Sequence, residues 1–266
     1  MERPDVLVVG AGVVGLSCAI ALRERGLSVT VIDREGPAAG ASAGNAGAFA
    51  FSDILPLASP KTLARAPRWL FDPLGPLSVP PAYALKAAPW MLRFARACAP
   101  GRVRRSTIAQ AALMALSRAE LKPFLERTGT LPMLRREGNL EVYESAAEFE
   151  ASRPGWEARA RAGIAFRHVD ADEMAVLQPG LSPLFTHGTF TPDWCSIAEP
   201  RDYVLALGEH FARQGGRIEI VEARSLQPET DGVRIETSGE TLRAHRVLVA
   251  AGAFSHRLTR TLGDRI

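Results

Sequence analysis

Three stretches of the chain carry the near-continuous apolar or β-branched pattern of buried parallel strands: Val6–Val9, Ser28–Asp33 and Arg246–Ala251. Between the first two, Val13–Arg25 places apolar residues at helical spacing, with Gly26 just beyond as a C-cap. Alternating patterns predict strands at Asn139–Tyr143 and Arg217–Val221. They also predict a hairpin from Val233–Thr237 through the Ser238–Gly239 turn to Thr241–Arg243. Helical periodicity predicts a helix over Ser106–Arg127, with Ser106 as N-cap and Pro123 kinking or ending it. Two more helices are expected, at Ala146–Ala162 and from Pro200 to about Gln214, the latter closed by Gly215-Gly216. From Leu55 to Gly101 the pattern breaks up. Nine of the 19 prolines fall there, which predicts short helices, one of them opened by Pro89.

The first apolar run ends in Gly10-Ala-Gly12-Val-Val-Gly15. In a strand–turn–helix unit the first glycine of this spacing permits a sharp turn. The second lets backbone approach a pyrophosphate, and the third lets the helix pack close to the strand. The helix N-terminus then offers N–H groups and partial positive charge to phosphates. Asp33 follows at the end of the second strand, where an acid accepts a hydrogen bond from an adenosine ribose. The plainer alternative is a glycine-rich turn in an unrelated α/β protein; the complete strand–turn–helix–strand–acid unit favours the dinucleotide.

The loop Arg34–Phe49 is dense in small residues and centres on Gly40-Ala-Ser42-Ala-Gly44-Asn45-Ala46-Gly47. Such a loop is either a linker or a ligand segment. Its position after the second strand favours a ligand, with Ser42 and Asn45 as hydrogen-bond donors. The last strand runs into Ala251-Gly252, a side-chain-poor backbone at the same edge of the sheet.

With 266 residues, 47% hydrophobic and 23% charged, the chain can bury one large core or two modest ones. The net charge of +3 is unevenly spread: Pro60–Arg105 holds nine Lys/Arg and a single acid, Asp72. Trp69, Phe71 and Trp90 add aromatic weight to this stretch. Two readings of residues 55–105 stand side by side, a solvated lid and a surface resting on an anionic membrane. Nucleic acid is excluded for want of any recognition module. Three scattered cysteines, Cys18, Cys98 and Cys195, suggest neither disulfides nor a metal site, and point to a cytoplasmic protein. Cys18 reads as a small core residue of the first helix. His168 and His187 lack the partners of a hydrolase triad and read as structural. No apolar run is long enough to span a bilayer, and the glycines and Asp5 argue against a secretory leader.

Taken together, Gly10-x-Gly12-x-x-Gly15-x-x-x-Ala19 with Asp33, the Ser42-x-x-Asn45-Ala46-Gly47 loop and Val247-Leu-Val-Ala-Ala-Gly252-Ala-Phe-Ser255 resemble the FAD-dependent D-amino-acid oxidase/dehydrogenase superfamily. Within it the bacterial D-amino-acid dehydrogenase type is the nearest. The resemblance implies an α/β fold: a Rossmann-type FAD-binding domain from residues 1–50 and 200–266, with an incomplete α+β substrate domain inserted at 51–199. It implies FAD as cofactor, Gly12 and Gly15 flanking its pyrophosphate, Ser42 on a phosphate, and Asp33 on the ribose. Asn45, Ala46 and Gly47 would approach the isoalloxazine. Backbone near Ala223 would meet the adenine, where relatives commonly carry valine. Val9, Gly10, Val13, Val14, Arg34, Ala251 and Gly252 adjoin these positions and complete the expected cofactor set. Family members continue beyond a point matching Ile266, so C-terminal truncation is expected. No catalytic residue is assigned, because substrate-clamping Arg and Tyr belong to that continuation.

The activity so implied is oxidation of the Cα–N bond of a D-amino acid or related secondary amine to an imino acid, which hydrolyses to a 2-oxo acid and ammonia. Electrons would pass to a quinone or other carrier, at the inner face of the cytoplasmic membrane if the basic insertion rests there, or to oxygen. The alternatives are a non-catalytic FAD-binding fragment, or a subunit of a hetero-oligomeric amine dehydrogenase, and a nicotinamide-dependent Rossmann protein.

Overall fold

The computed structural model describes residues 3–71 and 80–264. Asp72, Pro73, Pro76 and Ile266, and the side chains of Pro67 and Phe71, lie outside the described residues. In chain order the elements are β1 (Val6–Val9), α1 (Val13–Arg23), β2 (Val29–Asp33), β3 (Ala48–Phe49), α2 (Pro60–Phe71), α3 (Pro81–Ala97) and α4 (Pro100–Thr128). There follow β4 (Leu134–Arg135), β5 (Asn139–Tyr143), α5 (Ala146–Arg161), β6 (Arg167–Val169), α6 (Ala171–Leu177), β7 (His187–Thr191) and β8 (Cys195–Ile197). The chain ends in α7 (Pro200–Arg213), β9 (Arg217–Ile220), β10 (Ala223–Glu229), β11 (Gly232–Thr237), β12 (Leu242–Ala244), β13 (Arg246–Val249) and α8 (Ser255–Thr259). These elements form two compact units, one from residues 1–48, 122–135 and 196–266, the other from 49–121 and 136–195.

The first unit is built on a parallel sheet in the order β13-β1-β2-β9. Val6–Val9 is paired on both sides, to Arg246–Val249 and to Val29–Ile32, so every residue of β1 is buried. A strand enclosed in this way must be apolar throughout, which is why the pattern is continuous and not alternating. On one face lie α1 and α7. Their apolar stripes, Leu16, Ala19 and Ile20 from α1 and Tyr203, Val204, Leu207 and Phe211 from α7, are all buried. Each large side chain so removed from water contributes about 1.5–3 kcal/mol. Burial also pushes the Tyr203 phenol up to about 12, so it stays neutral in the core. A methyl at Gly216 would lie 2.3 Å from the Phe211 ring, so the Gly215-Gly216 turn closes α7 by letting backbone pass over that ring. The other face is covered by the antiparallel sheet β10-β11-β12, whose Leu226, Ile235 and Ala244 join Leu7, Val9, Ile32 and Leu258 in one core.

The second unit contains α2, α3, most of α4, and an antiparallel sheet in the order β5-β7-β6. Ser145 caps α5 by accepting from the Glu148 N–H at 3.2 Å, while the Glu148 carboxylate accepts from the Glu144 N–H. Trp156 and Phe149 of α5 are buried against Tyr143, with the Trp156 indole N–H donating to the Tyr143 hydroxyl at 2.7 Å. His168 packs edge-on against Phe149, and its Nδ1 lies 2.9 Å from the Thr189 hydroxyl; His187 packs on the same Phe149 ring. Burial and the nearby Arg153 push the His168 imidazole below its ordinary range, in keeping with a structural role.

Several expected boundaries are corrected. The helix expected from Ser106 begins at Pro100, since proline is tolerated in a first turn and the Val103 N–H reaches the Ala99 carbonyl. Pro123 does not end it; the helix continues to Thr128, its last turn fixed by fully buried Leu125 and by the Thr128 hydroxyl donating to the Phe124 carbonyl. Pro89 does not open a helix either. It sits inside the 17-residue α3, which starts at Pro81. Its exposed position leaves to water the carbonyl it cannot serve. Cys18 is only half-buried.

Candidate dinucleotide site

The carboxyl ends of β1, β2 and β13 and the residues just after β9 open into a cavity of about 670 Å³ within the first unit. Its floor is backbone. Gly10 takes a φ of 114°, a region closed to most L side chains, and its N–H donates to the Ile32 carbonyl at 2.8 Å. A Cβ there would lie 2.4 Å from the Ala250 carbonyl oxygen. At Gly15 it would lie 1.9 Å from the Gly10 carbonyl oxygen, so α1 rests directly on the turn. At Gly12 it would lie 2.9 Å from the Ser42 hydroxyl, which fills that space.

The electrostatics follow from this close packing. Helix α1 has no side-chain cap of its own from Gly12, and the first N–H groups of any helix lack helical partners. Ser42 Oγ accepts from the Val13 N–H at 3.1 Å, and its own O–H remains able to donate to an anion. Asp33 is held by three backbone donors: Ala11 N–H to Oδ2 at 2.9 Å, and Glu35 and Gly36 N–H to Oδ1 at 2.9 and 3.1 Å. A carboxylate has roughly four acceptor positions, so one is left for a ligand hydroxyl. The turn and the acid are thereby fixed to each other before any ligand binds.

Eleven of the residues singled out from the sequence line the cavity: Val9, Gly10, Gly12, Val13, Val14, Asp33, Arg34, Ser42, Ala223, Ala251 and Gly252. Gly15 lies behind its wall, buried in α1. Asn45, Ala46 and Gly47 are not among the lining residues. Asn45 folds its own loop, donating to the Ser42 carbonyl at 2.8 Å and accepting from the Gly47 N–H at 2.7 Å. Gly47, with φ of 64°, accepts from the Ile197 N–H at 2.8 Å.

Sequence reading missed Glu222, Arg224, Phe254 and Arg257, which also line the cavity. The signal for Phe254 was an aromatic two residues past Gly252, shortly after β13, with an arginine three residues on. Such a pair has no meaning until β13 is placed beside β1.

The cradle fits an extended dinucleotide: a glycine floor that any Cβ would obstruct, a hydroxyl at a helix N-terminus, and a fixed carboxylate at the next strand end. Residues 5–266 match the model of the DAO family, described as FAD dependent oxidoreductase. The chain belongs to this family, and FAD is the cofactor that the family's description names. Among curated proteins it is 30% identical to a D-amino-acid oxidase of Bradyrhizobium diazoefficiens, over 99% of this chain and 63% of that protein. It is 33% identical to D-amino acid dehydrogenase 2 of Ralstonia nicotianae, over 94% of this chain and 61% of that protein. The chain thus spans somewhat under two thirds of these relatives. Among solved structures, glycine oxidase from Geobacillus kaustophilus shares the fold with a TM-score of 0.69 at 22% identity, covering 99% of this chain and 59% of that one. L-amino acid deaminase from Proteus vulgaris does so with a TM-score of 0.70 at 19% identity, covering 100% and 57%.

The contact between Gly15 and Gly10 is directly testable. Gly15→Ala should destabilise the chain by about 2–4 kcal/mol in urea unfolding and weaken FAD binding at least tenfold, read by flavin fluorescence quenching. Gly44→Ala is the matched control, since a Cβ there meets nothing within 4 Å and should change neither quantity.

Proposed function

We propose that the chain acts as a FAD-dependent amino-acid dehydrogenase or oxidase. It would oxidise the Cα–N bond of a D-amino acid, or a related secondary amine, to an imino acid that water converts to a 2-oxo acid and ammonia, or to the 2-oxo compound and an amine where the nitrogen is substituted. The observation that carries this is the glycine-floored cavity lined by Ser42 and Asp33, in a chain about 30% identical to proteins named D-amino-acid oxidase and dehydrogenase. Bound FAD would accept the two electrons lost from the substrate's Cα–N unit, carried as one hydride equivalent, and the remaining N–H proton would leave to solvent. The work of this chain's residues is binding and orientation. Gly12, Val13, Val14 and Ser42 would take the pyrophosphate, Asp33 a ribose hydroxyl, and backbone near Ala223 the adenine. Val9, Gly10, Ala251 and Gly252 give the cofactor a floor without side-chain obstruction, and Gly15 holds α1 against it. Asn45, Ala46 and Gly47 would run toward the isoalloxazine, kept rigid by the bonds Asn45 makes within the loop. Hydride chemistry of this kind asks little of protein acids and bases, which agrees with a site rich in backbone and poor in His and Lys.

The domain arrangement we propose follows the same division of labour: residues 1–50 and 200–266 hold the cofactor, and 51–199 face the substrate. The electron acceptor would be a quinone or another carrier, or oxygen. Among the described residues no helix is long and apolar enough to cross a membrane. Helix α3 nevertheless exposes Tyr83, Leu85, Trp90 and Leu92 together with Lys86 and Arg93. That mixture suits peripheral contact with an anionic membrane, at its cytoplasmic face, where a quinone is at hand.

Two measurements test this. The chain reconstituted with FAD and mixed anaerobically with D-alanine, D-proline, glycine or sarcosine should lose its visible flavin absorbance with at least one D-amino acid. Bound flavin that none of them bleaches would remove the oxidation and leave FAD binding alone. Co-sedimentation with anionic liposomes at low salt should fall severalfold when Arg93, Arg96, Arg102, Arg104 and Arg105 are changed to Gln. Absence of binding by the unaltered chain would make 55–105 a solvated lid.

A further inference from the structure

The adenosine end of the cavity holds an arrangement that the cofactor's ordinary contacts do not explain. The Phe254 ring, 41% exposed, carries the Arg34 guanidinium 4.6 Å from its centroid and the Arg257 guanidinium 4.7 Å from it. All three residues line the cavity. Arg34 is further held by Glu35, whose carboxylate lies 2.8 Å from its Nε. A free arginine on a surface samples many rotamers, and ordering one costs entropy. Here a ring lies beneath the Arg34 guanidinium and an acid beside it, which restricts its rotamers. Its neighbour Asp33 is the group placed for the ribose, so the nucleoside base attached to that ribose falls next to Arg34.

Resting on the proposed function, we propose that Phe254 and Arg257 are positioning residues which hold the Arg34 guanidinium as a stacking platform for the adenine ring. The ligand chemistry recognised is a purine base on a ribose with a free hydroxyl. A planar guanidinium stacks on aromatic faces and is weakly hydrated, so it can meet adenine without a large desolvation cost. Phe254 works on the opposite side from the ligand: it fixes the plane of the guanidinium, and Arg257 fixes the ring. The consequence is a division of affinity. The stack acts on the AMP half of FAD and leaves the flavin half untouched, so it favours FAD over FMN.

Titration of the full chain with FAD, ADP and FMN tests this, using flavin fluorescence for the flavins and calorimetry for ADP. Phe254→Ala should weaken FAD and ADP about tenfold each and leave FMN unchanged, while Phe254→Tyr, which keeps the ring, restores affinity to within about threefold. Arg257→Gln should give a smaller loss with the same pattern. Equal FAD and ADP affinities in Phe254→Ala and the unaltered chain would overturn the assignment and leave the cofactor site intact. So would a loss shared by FMN, or no recovery in Phe254→Tyr when both variants retain the unaltered chain's unfolding midpoint. Failure of the unaltered chain to bind FAD or ADP would overturn the reading beneath it as well.

Discussion

A methyl group on Gly15 would sit 1.9 Å from the carbonyl oxygen of Gly10, and one on Gly10 would sit 2.4 Å from the carbonyl oxygen of Ala250. Three backbone segments, the turn after β1, the first turn of α1 and the end of β13, are therefore packed with no side chain between them. Everything that makes the site a site depends on that approach. It brings the N-terminus of α1 to the carboxyl edge of the sheet, where its free N–H groups and partial positive charge are available to phosphates. It also makes the cavity floor out of peptide groups, which can lie against a flat or charged ligand without steric conflict.

Around this constraint backbone amides hold Asp33 and Ser42 in place. Asp33 is committed to the Ala11, Glu35 and Gly36 amides, and Ser42 to the Val13 amide, each retaining one position for a ligand. Preorganisation of this kind moves the entropy cost of ordering from binding to folding. The buried core beneath, from Leu7 and Ile32 on one face and from Leu16, Leu207 and Phe211 on the other, supplies the free energy that offsets it. Asn45 extends the same principle into the loop by spending both ends of its amide on the backbone of Ser42 and Gly47.

The parts that were legible in the sequence are those whose cause is local. The unit from Val6 to Asp33 could be read because a doubly paired strand must be apolar, a close helix contact must be glycine, and an exposed strand end can carry an acid. Arg246–Val249 was legible as a near-continuous apolar run, although β13 lies at the edge of the sheet and pairs with β1 on one side. Other features depend on partners far along the chain. β7 carries no strand signal of its own, since Gly188-Thr-Phe-Thr-Pro has turn composition, and it becomes a strand through pairing with β5 and β6. Pro123 was expected to kink or end α4, and with Leu125 buried the helix continues past it to Thr128. Phe254 and Arg257 had no role until Arg34 was brought over the ring.

We place a dinucleotide across the ends of β13, β1 and β2, with its diphosphate at the N-terminus of α1. A crystal structure of the chain grown with FAD tests this placement most directly. The diphosphate should lie within hydrogen-bond reach of the Ser42 hydroxyl and of N–H groups in the first turn of α1, with a ribose hydroxyl on Asp33. Cofactor density in another part of the molecule, or in this cavity with the diphosphate away from α1, would contradict it.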